Sequence, residues 1–489
     1  MIHRHRTLLF LFFVLTFFIS ASSVLFYAYG YRFSLERGIF IYTGSLSLKT
    51  NIETVNISID GVTLPEKRLG LLNNTIQISG VNPGEHMVEV SVPGYKPWTK
   101  KIVIQSGITT EFWNIFLTEE NYERTPVPAT EQAIKMFPAP NGLFATVKKN
   151  ETRYSIDVLD TGATESMEVF STSEAVFLPT LETNIEWSPE SHKLIIPLTK
   201  DTEPIYAITD IKTKQSYFLN EITTITTPIS APRWDATTKN FLFFLNQGNL
   251  YRFNTNESKG IFSPAELVRS QVSAYELSGN KLYYLSAEGF IYETNGRGES
   301  EASKRITTTP VTINVASPYS LIVYDETRLA VIEEYAGRLF VFNKNVSSDT
   351  LRELGSDIKS LQYSDDGKKL LFYTDNEISV YFNQDWPAQP ARDKDSVIQV
   401  ARFSTPIKNV QWTEDYEHVL FSLGKTIKMI ELDNRDRRGL SDLVTLENEP
   451  TQMLARFGTD ILYVVSAVSS DTPAVFSITL PQYTTLFGL

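Results

Sequence analysis

Hydrophobic and polar positions follow three different patterns along this chain. After His3, Arg4, His5 and Arg6 comes an uncharged run, residues 7–31, rich in Leu, Phe and Val. It is long enough to cross a hydrocarbon core of about 30 Å as a helix. Further on, Val55, Ile57 and Ile59 alternate with Asn56 and Ser58, and Val88, Val90 and Val92 alternate with Glu89 and Ser91. Period-2 alternation places one apolar face of a strand on a core, and Asp60-Gly61 and Asn82-Pro83-Gly84 punctuate these runs as turns. From Phe137 almost to the C-terminus, an aromatic or its stand-in, a polar turn and an apolar strand recur about every 45 residues.

The third pattern has eight units, beginning near Phe137, Trp187, Trp234, Tyr275, Ala316, Tyr363, Trp412 and Leu454. Each supplies further strands, as in Leu242-Phe243-Phe244-Leu245 and Leu250-Tyr251-Arg252-Phe253 across Gln247-Gly248-Asn249. Repeated antiparallel sheets of this length predict propeller blades. The fold class is therefore mainly β. An N-terminal transmembrane helix (residues 7–31, after a cytoplasmic 1–6) leads to a small β-sandwich over residues 45–117. A linker over 118–130, marked by Glu119, Glu120, Glu123, Pro126 and Pro128, leads to a β-propeller of eight blades over 131–489, with seven blades as the alternative. Tyr95, Trp98 and Trp113 are the expected aromatic core of the sandwich. Trp187, Trp234 and Trp412 recur at equivalent places and are expected to be packing anchors.

Basic residues ahead of the apolar run predict a cytoplasmic N-terminus in the cytoplasmic membrane, with everything after Arg32 outside. A signal peptide cleaved near the small residues Ser20, Ala21, Ser22 and Ser23 is the alternative reading. Of 489 residues, 45 are basic and 57 acidic, a formal charge of −12. That balance offers no basic excess for nucleic acid. There is no cysteine, which excludes disulfides, thiolate metal sites and cysteine nucleophiles.

Two resemblances join these readings. Val81-Asn82-Pro83-Gly84-Glu85-His86-Met87-Val88-Glu89-Val90, followed by Pro93-Gly94-Tyr95-Lys96-Pro97-Trp98, resembles the second half of a PEGA domain, and Ile59-Asp60-Gly61 resembles that family's earlier turn. The resemblance implies a surface-associated β module of prokaryotes. Tyr29-Gly30-Tyr31-Arg32-Phe33 is similar to the segment after the membrane span in bacterial proteins that carry this module. The Trp-Ser-Pro and Ser-Asp-Asp-Gly-Lys-Lys turns resemble those of TolB-like and WD-repeat-like propellers.

Catalytic patterns are lacking. HExxH, the GxSxG elbow and the phosphate loop GxxxxGK followed by Ser or Thr do not occur, so no cofactor, metal or catalytic residue is assigned. In the region after the membrane run stand His86, His192 and His418; the last two are expected as turn residues at similar places in two repeats. Asp365-Asp366-Gly367 is expected to be a turn. Three loops are candidates for binding. Residues 383–394 carry Trp386 and Arg392, and there an exposed aromatic would meet a partner without supporting the fold. Residues 434–442 carry Arg435, Arg437 and Arg438, and residues 296–305 are charged. The function expected is a membrane-tethered extracytoplasmic binding or scaffold protein. Its partners would be the bilayer, through the helix, and an envelope protein or glycan. A carbohydrate-active enzyme of the cell envelope built on the propeller is the alternative.

Overall fold

The computed structural model describes every residue except 1, 35–37, 66, 69, 71–74, 178–183, 226–227, 258–260, 296–302, 347–350, 468–471 and 481–489. The apolar run folds as one helix, Ile2–Ala28. Its span Arg6–Ala28 is long and apolar enough to cross a membrane, and none of it is buried inside the molecule. The helix stops short of the expected residue 31, because Gly30 takes φ +88°, a left-handed conformation that glycine adopts without a Cβ penalty and that commonly ends helices. Tyr31 already belongs to a strand.

Two sheets follow. One has the order Thr109–Ile115, Gly44–Thr50, Ile76–Val81, the first pair parallel and the second antiparallel. The other runs Val62–Thr63, Thr54–Ile59, Gly84–Ser91, Trp98–Ile104. Alternation does what the pattern requires: Val55, Ile57, Val88 and Val90 are buried with Leu46, Leu48, Ile102 and Phe112 between the sheets. Trp98 joins them and Tyr95 packs at the side. Trp113, however, is 39% exposed. Along Thr109–Ile115 the inward positions are Thr110, Phe112 and Ile115, so the register turns Phe112 inward and its neighbour out.

Among the described residues, the chain from 133 to 479 forms eight successive antiparallel sheets, 133–172, 176–218, 229–270, 272–305, 319–355, 360–402, 407–445 and 452–479, called here sheets 1 to 8. They stack face to face. In Phe241–Asn246 of sheet 3, Leu242 and Phe244 pack against sheet 2, while Phe243 and Leu245 pack against sheet 4. Corresponding layers lie between every neighbouring pair, and the eighth layer joins Tyr463, Val465 and Val475 of sheet 8 to Ala133, Met136, Phe144 and Leu159 of sheet 1. The side chain of Gln452 adds two bonds across that last seam, accepting from Met136 N at 2.7 Å and donating to its carbonyl at 2.8 Å.

The three repeated tryptophans share one task. Trp187 Nε1 donates to Phe137 O at 3.2 Å, Trp234 Nε1 to Glu186 O at 3.3 Å and Trp412 Nε1 to Gln362 O at 3.1 Å. Each ring is buried, and each indole reaches a backbone carbonyl of the preceding sheet, which satisfies its polar atom in a dry layer. The turn at 364–369 is also structural: Gly367 N donates to Ser364 O, and Asp366 Oδ1 accepts from Ser364 Oγ and Lys368 N. A Cβ on Gly367, at φ +64°, would meet Tyr324 at 2.3 Å, so the turn sits tightly on sheet 5.

Residues 118–130 are more than a spacer. Thr125–Pro126 pairs with Pro473–Thr479 as the outer strand of sheet 8, and Val127 enters the layer between sheets 8 and 1. Proline suits that outer position, since its missing N–H faces no partner strand. Trp412→Ala is expected to lower unfolding stability by about 3–5 kcal/mol through lost burial and a cavity. Tyr335→Ala, at a 76% exposed site, should stay within about 0.5 kcal/mol. Denaturant titration of the two variants checks both, and equal midpoints would remove the anchor role.

Candidate functional site at the junction of the small domain and sheets 6 and 7

The loops 383–394 and 434–442, far apart in sequence, meet against the small domain. Trp386 and Arg392 exchange backbone bonds of 2.8 and 2.9 Å that close the first loop, and Arg392 Nη2 donates to Asn434 Oδ1 at 2.5 Å, joining the second. Thr109–Ile115 is an edge strand, and Gln389 caps its open side. The amide donates to Thr109 O at 3.0 Å and accepts from Glu111 N at 3.0 Å. Arg435 completes the cap by donating to Glu111 O at 2.7 Å, its guanidinium 3.7 Å from the centre of the Phe112 ring. A polar side chain that imitates a neighbouring strand removes the liability of a bare edge.

Beneath these loops lies a buried ion pair that loop composition does not signal. Lys100 is 1% exposed and its Nζ lies 2.5 Å from Glu431 Oε1. It also donates to Asp433 O and Arg435 O at 3.1 Å each. Glu431 accepts further from Trp98 Nε1 at 3.2 Å and from Gly439 N at 2.5 Å. Both charges therefore have their hydrogen-bonding capacity filled, the condition under which a buried pair is tolerated. One signal was available in the sequence. In Trp98-Thr99-Lys100-Lys101-Ile102-Val103-Ile104, Lys100 falls in phase with the buried Trp98, Ile102 and Ile104. Asp433 lies beside it, and although burial opposes its ionisation, Arg435 and Lys100 hold its carboxyl below the usual range.

The sequence placed His192 and His418 at like positions, and strand pairing corrects this by one residue. Ser188 N bonds Lys193 O, Ser364 N bonds Lys369 O, and Thr413 N bonds His418 O. His418 thus stands where the sister repeats carry lysine, and Lys369 reaches forward to Glu417 and to Tyr416 O. His192 is exposed, whereas His418 is buried. Its Nδ1 lies 2.7 Å from Asp415 Oδ2, and its ring faces Phe116 at 5.4 Å. Burial alone would depress the imidazole, but the carboxylates of Asp415, Glu431 and Glu417 outweigh it and hold its pKa above the ordinary value. Asp415, despite burial, is driven well below the usual carboxylate range by His418 and its hydrogen bonds. Burial raises Glu417 against the pull of Lys369.

A cleft of about 480 Å³ opens between the two bodies, lined by Lys96, Trp98, Phe116, His418, Glu431, Arg437 and Arg438 among others. Arg438 is spent on the carbonyls of Leu432 and Gln399. Arg437 is exposed on the rim. Trp386 is partly exposed, as expected, but its ring also packs on the layer between sheets 6 and 7 and lies 4.1 Å from Lys369 Nζ. The expectation that it stands apart from the fold is therefore corrected. The third loop lies largely outside the described residues, as 296–302 are among those excluded. Among the described residues no group of three His, Cys, Asp or Glu is placed to hold a metal ion.

Residues 43–121 match the PEGA domain family. The PEGA domain thus includes both Trp98 and Lys100. No curated protein matches the chain. Among solved structures, the chain is similar to the computationally designed protein Ika8 at 12% identity and a TM-score of 0.45, covering 73% of this chain and 100% of that one. It is similar to Sqt1 of Saccharomyces cerevisiae at 13% identity and TM-score 0.42, covering 74% and 98%. BamB of Moraxella catarrhalis follows at 10% identity and TM-score 0.43, covering 73% and 97%.

Glu431→Ala strands the Lys100 charge and is expected to destabilise by about 3–5 kcal/mol, whereas the double change Lys100→Met, Glu431→Leu should recover most of it. Unfolding of the three chains decides, and a double variant no better than the single would remove the ion pair from the junction. The Asp415–His418 pair gives a pH dependence. Folding raises the His418 pKa, so its contribution is whole below about 6.5 and drains away as pH rises past the folded value. Folding lowers that of Asp415, so its contribution is whole above about 3.9 and is lost as pH falls toward the depressed value. His418→Gln should therefore flatten the fall in melting temperature as pH rises above about 6.5, and an unchanged slope would oppose the pairing.

Proposed function

We propose that this chain is a membrane-tethered, extracytoplasmic binding or scaffold protein of a prokaryotic cell envelope, with sheets 1 to 8 as the blades of a closed eight-bladed propeller. The helix spans the cytoplasmic membrane with its basic N-terminus inside and remains on the mature protein. The PEGA domain is the membrane-side collar of the propeller, and the partner is an envelope protein or glycan.

One observation carries this reading. The two loops that carried the sequence's candidates help to seat the PEGA domain on sheets 6 and 7: Gln389 of one and Arg435 of the other bond its edge strand, and Glu431 beside them pairs with Lys100. A domain pair locked in this way presents a fixed surface, which suits recognition, since prearranged surfaces lose less freedom on binding. Contact between sheets 8 and 1 supports closure of the ring. Arg437 is the member of the candidate set left exposed at the cleft, and it is the residue proposed to meet an outside ligand.

The chain has no cysteine, so Arg437→Cys can be labelled from outside intact cells with a membrane-impermeant benzophenone maleimide and then irradiated. Labelling and a defined envelope adduct are expected. Labelling only after lysis would place the domains inside. External labelling with no adduct beyond the chain itself would count against binding at this face.

A further inference from the structure

The strip between the helix and the PEGA domain has no task in the reading above. Tyr31–Ser34 and Ile39–Tyr42 form an antiparallel pair with Tyr31 opposite Tyr42 and Phe33 opposite Phe40. Directly opposed residues share a face, so these four rings make one aromatic row. The row is continuous with the helix. The Phe26 ring lies 5.5 Å from Tyr31 and 5.8 Å from Phe40, Tyr31 lies 5.0 Å from Tyr42, and Phe33 lies 5.3 Å from Phe40. Yet Phe33 is 52% exposed, and Phe40 and Ile39 are each 56% exposed.

Both features are unfavourable in water. An isolated two-stranded hairpin is marginal there, and a cluster of large apolar side chains left open is a mark of an interaction surface. The hairpin cannot lie far from the end of the helix. Ala28 ends the helix and Tyr31 begins the strand, a gap spanning at most about 10 Å. Arg32 donates to Tyr27 O at 2.8 Å, with its guanidinium carbon 3.6 Å from the centre of the Tyr27 ring, which folds the strand back on the last helical turn. On the other side, Thr43 donates to Gly30 O through both N and Oγ1, at 3.0 and 2.6 Å. Ser106 Oγ donates to Tyr42 O at 2.6 Å. A Cβ on Gly107 would come within 2.5 Å of the Tyr42 ring, so the PEGA domain lies directly against the hairpin.

We infer that the paired strands Tyr31–Ser34 and Ile39–Tyr42 are a lipid-contacting element, bedding their aromatic row in the headgroup region of the bilayer and holding the PEGA domain at a fixed height above it. The polar-rimmed rings of Tyr31 and Tyr42 favour that region, and embedding covers the apolar surface that Phe33 and Phe40 leave exposed. The occupant is the bilayer because the row is a direct continuation of the apolar helix. This inference rests on the reading of the helix as an uncleaved membrane span.

The cysteine-free chain permits a test that separates the two. Leu15→Cys, Phe33→Cys, Phe40→Cys and Tyr335→Cys are each labelled with a nitrobenzoxadiazole dye. The full-length protein is reconstituted in phosphatidylcholine vesicles containing nitroxide lipids labelled near the headgroup or deep in the acyl chain. All four sites are more than half exposed, and an unchanged melting temperature confirms that labelling leaves the fold in place. At positions 33 and 40 the headgroup nitroxide should reduce emission about twofold or more, and position 335 should be unaffected. Position 15 should be quenched by the deep nitroxide. Quenching at 15 with 33 and 40 as bright as 335 overturns the lipid-contacting hairpin and leaves the membrane span standing. No quenching at 15 overturns the span, and the hairpin inference falls with it.

Discussion

The middle strands of the repeated sheets are buried on both faces, and that condition governs most of this molecule. A strand such as Phe241–Asn246 sends Leu242 and Phe244 one way and Phe243 and Leu245 the other. Each such side chain contributes about 1.5–3 kcal/mol on full burial, but only if a neighbouring sheet lies on its side. Six of the eight sheets find neighbours simply by following the chain. Sheets 1 and 8 have one neighbour each by sequence and must cover one another, as the layer containing Phe144 and Tyr463 shows. Sheet 8 also takes its outer strand from Thr125–Pro126, so the segment entering the repeats and the segment leaving them are held in one sheet.

That requirement also places the PEGA domain. Its last strand ends at Ile115, ten residues before a strand committed to sheet 8, so the domain must sit within a short reach of sheet 8. It sits on sheets 6 and 7. The junction is polar at its centre, and this has a consequence for how it works. A buried pair such as Lys100–Glu431 gives up hydration on both sides, and apolar residues of similar volume would hold as well or better. What the pair supplies is discrimination among poses. Shifting the domain by one strand position would take the Lys100 ammonium away from the Glu431 carboxylate and the carbonyls of Asp433 and Arg435 together, leaving buried charge without a partner. The pair opposes sliding more than it adds cohesion.

The sequence made legible whatever depends on short-range period. The apolar helix, the alternating strands of the PEGA domain, the eight turn-and-strand units and the equivalence of Trp187, Trp234 and Trp412 all follow from spacing. So did the reading of Asp365-Asp366-Gly367 as a turn. What it hid depends on pairing between distant segments. Composition at 118–130 reads as a spacer, because the strand it pairs with lies some 350 residues away. Trp113 outranks Phe112 in size, but register decides which of two adjacent residues faces inward. Arg435 looked free because the domain that engages it is encoded far upstream, and Trp386 because the layer it packs on forms only when sheets 6 and 7 meet. Lys100 was the one long-range feature with a local trace, a charge in phase with buried neighbours.

If the helix is the membrane anchor proposed above, pinned junctions change what it can do. A helix followed by a flexible linker tethers a domain to a membrane without orienting it. Here the connections are short and bonded: Thr43 to Gly30, Ser106 to Tyr42, Lys100 to Glu431, and Thr125–Pro126 to the last sheet. Each contact removes a freedom the next would otherwise need. A ligand held at the cleft beside Arg437 would accordingly meet a surface whose direction is set at the helix end, about 400 residues earlier in the chain. In such a molecule, orientation is a property of the whole chain of contacts, and loosening any one of them would alter how the repeated sheets are presented even where every sheet remained folded.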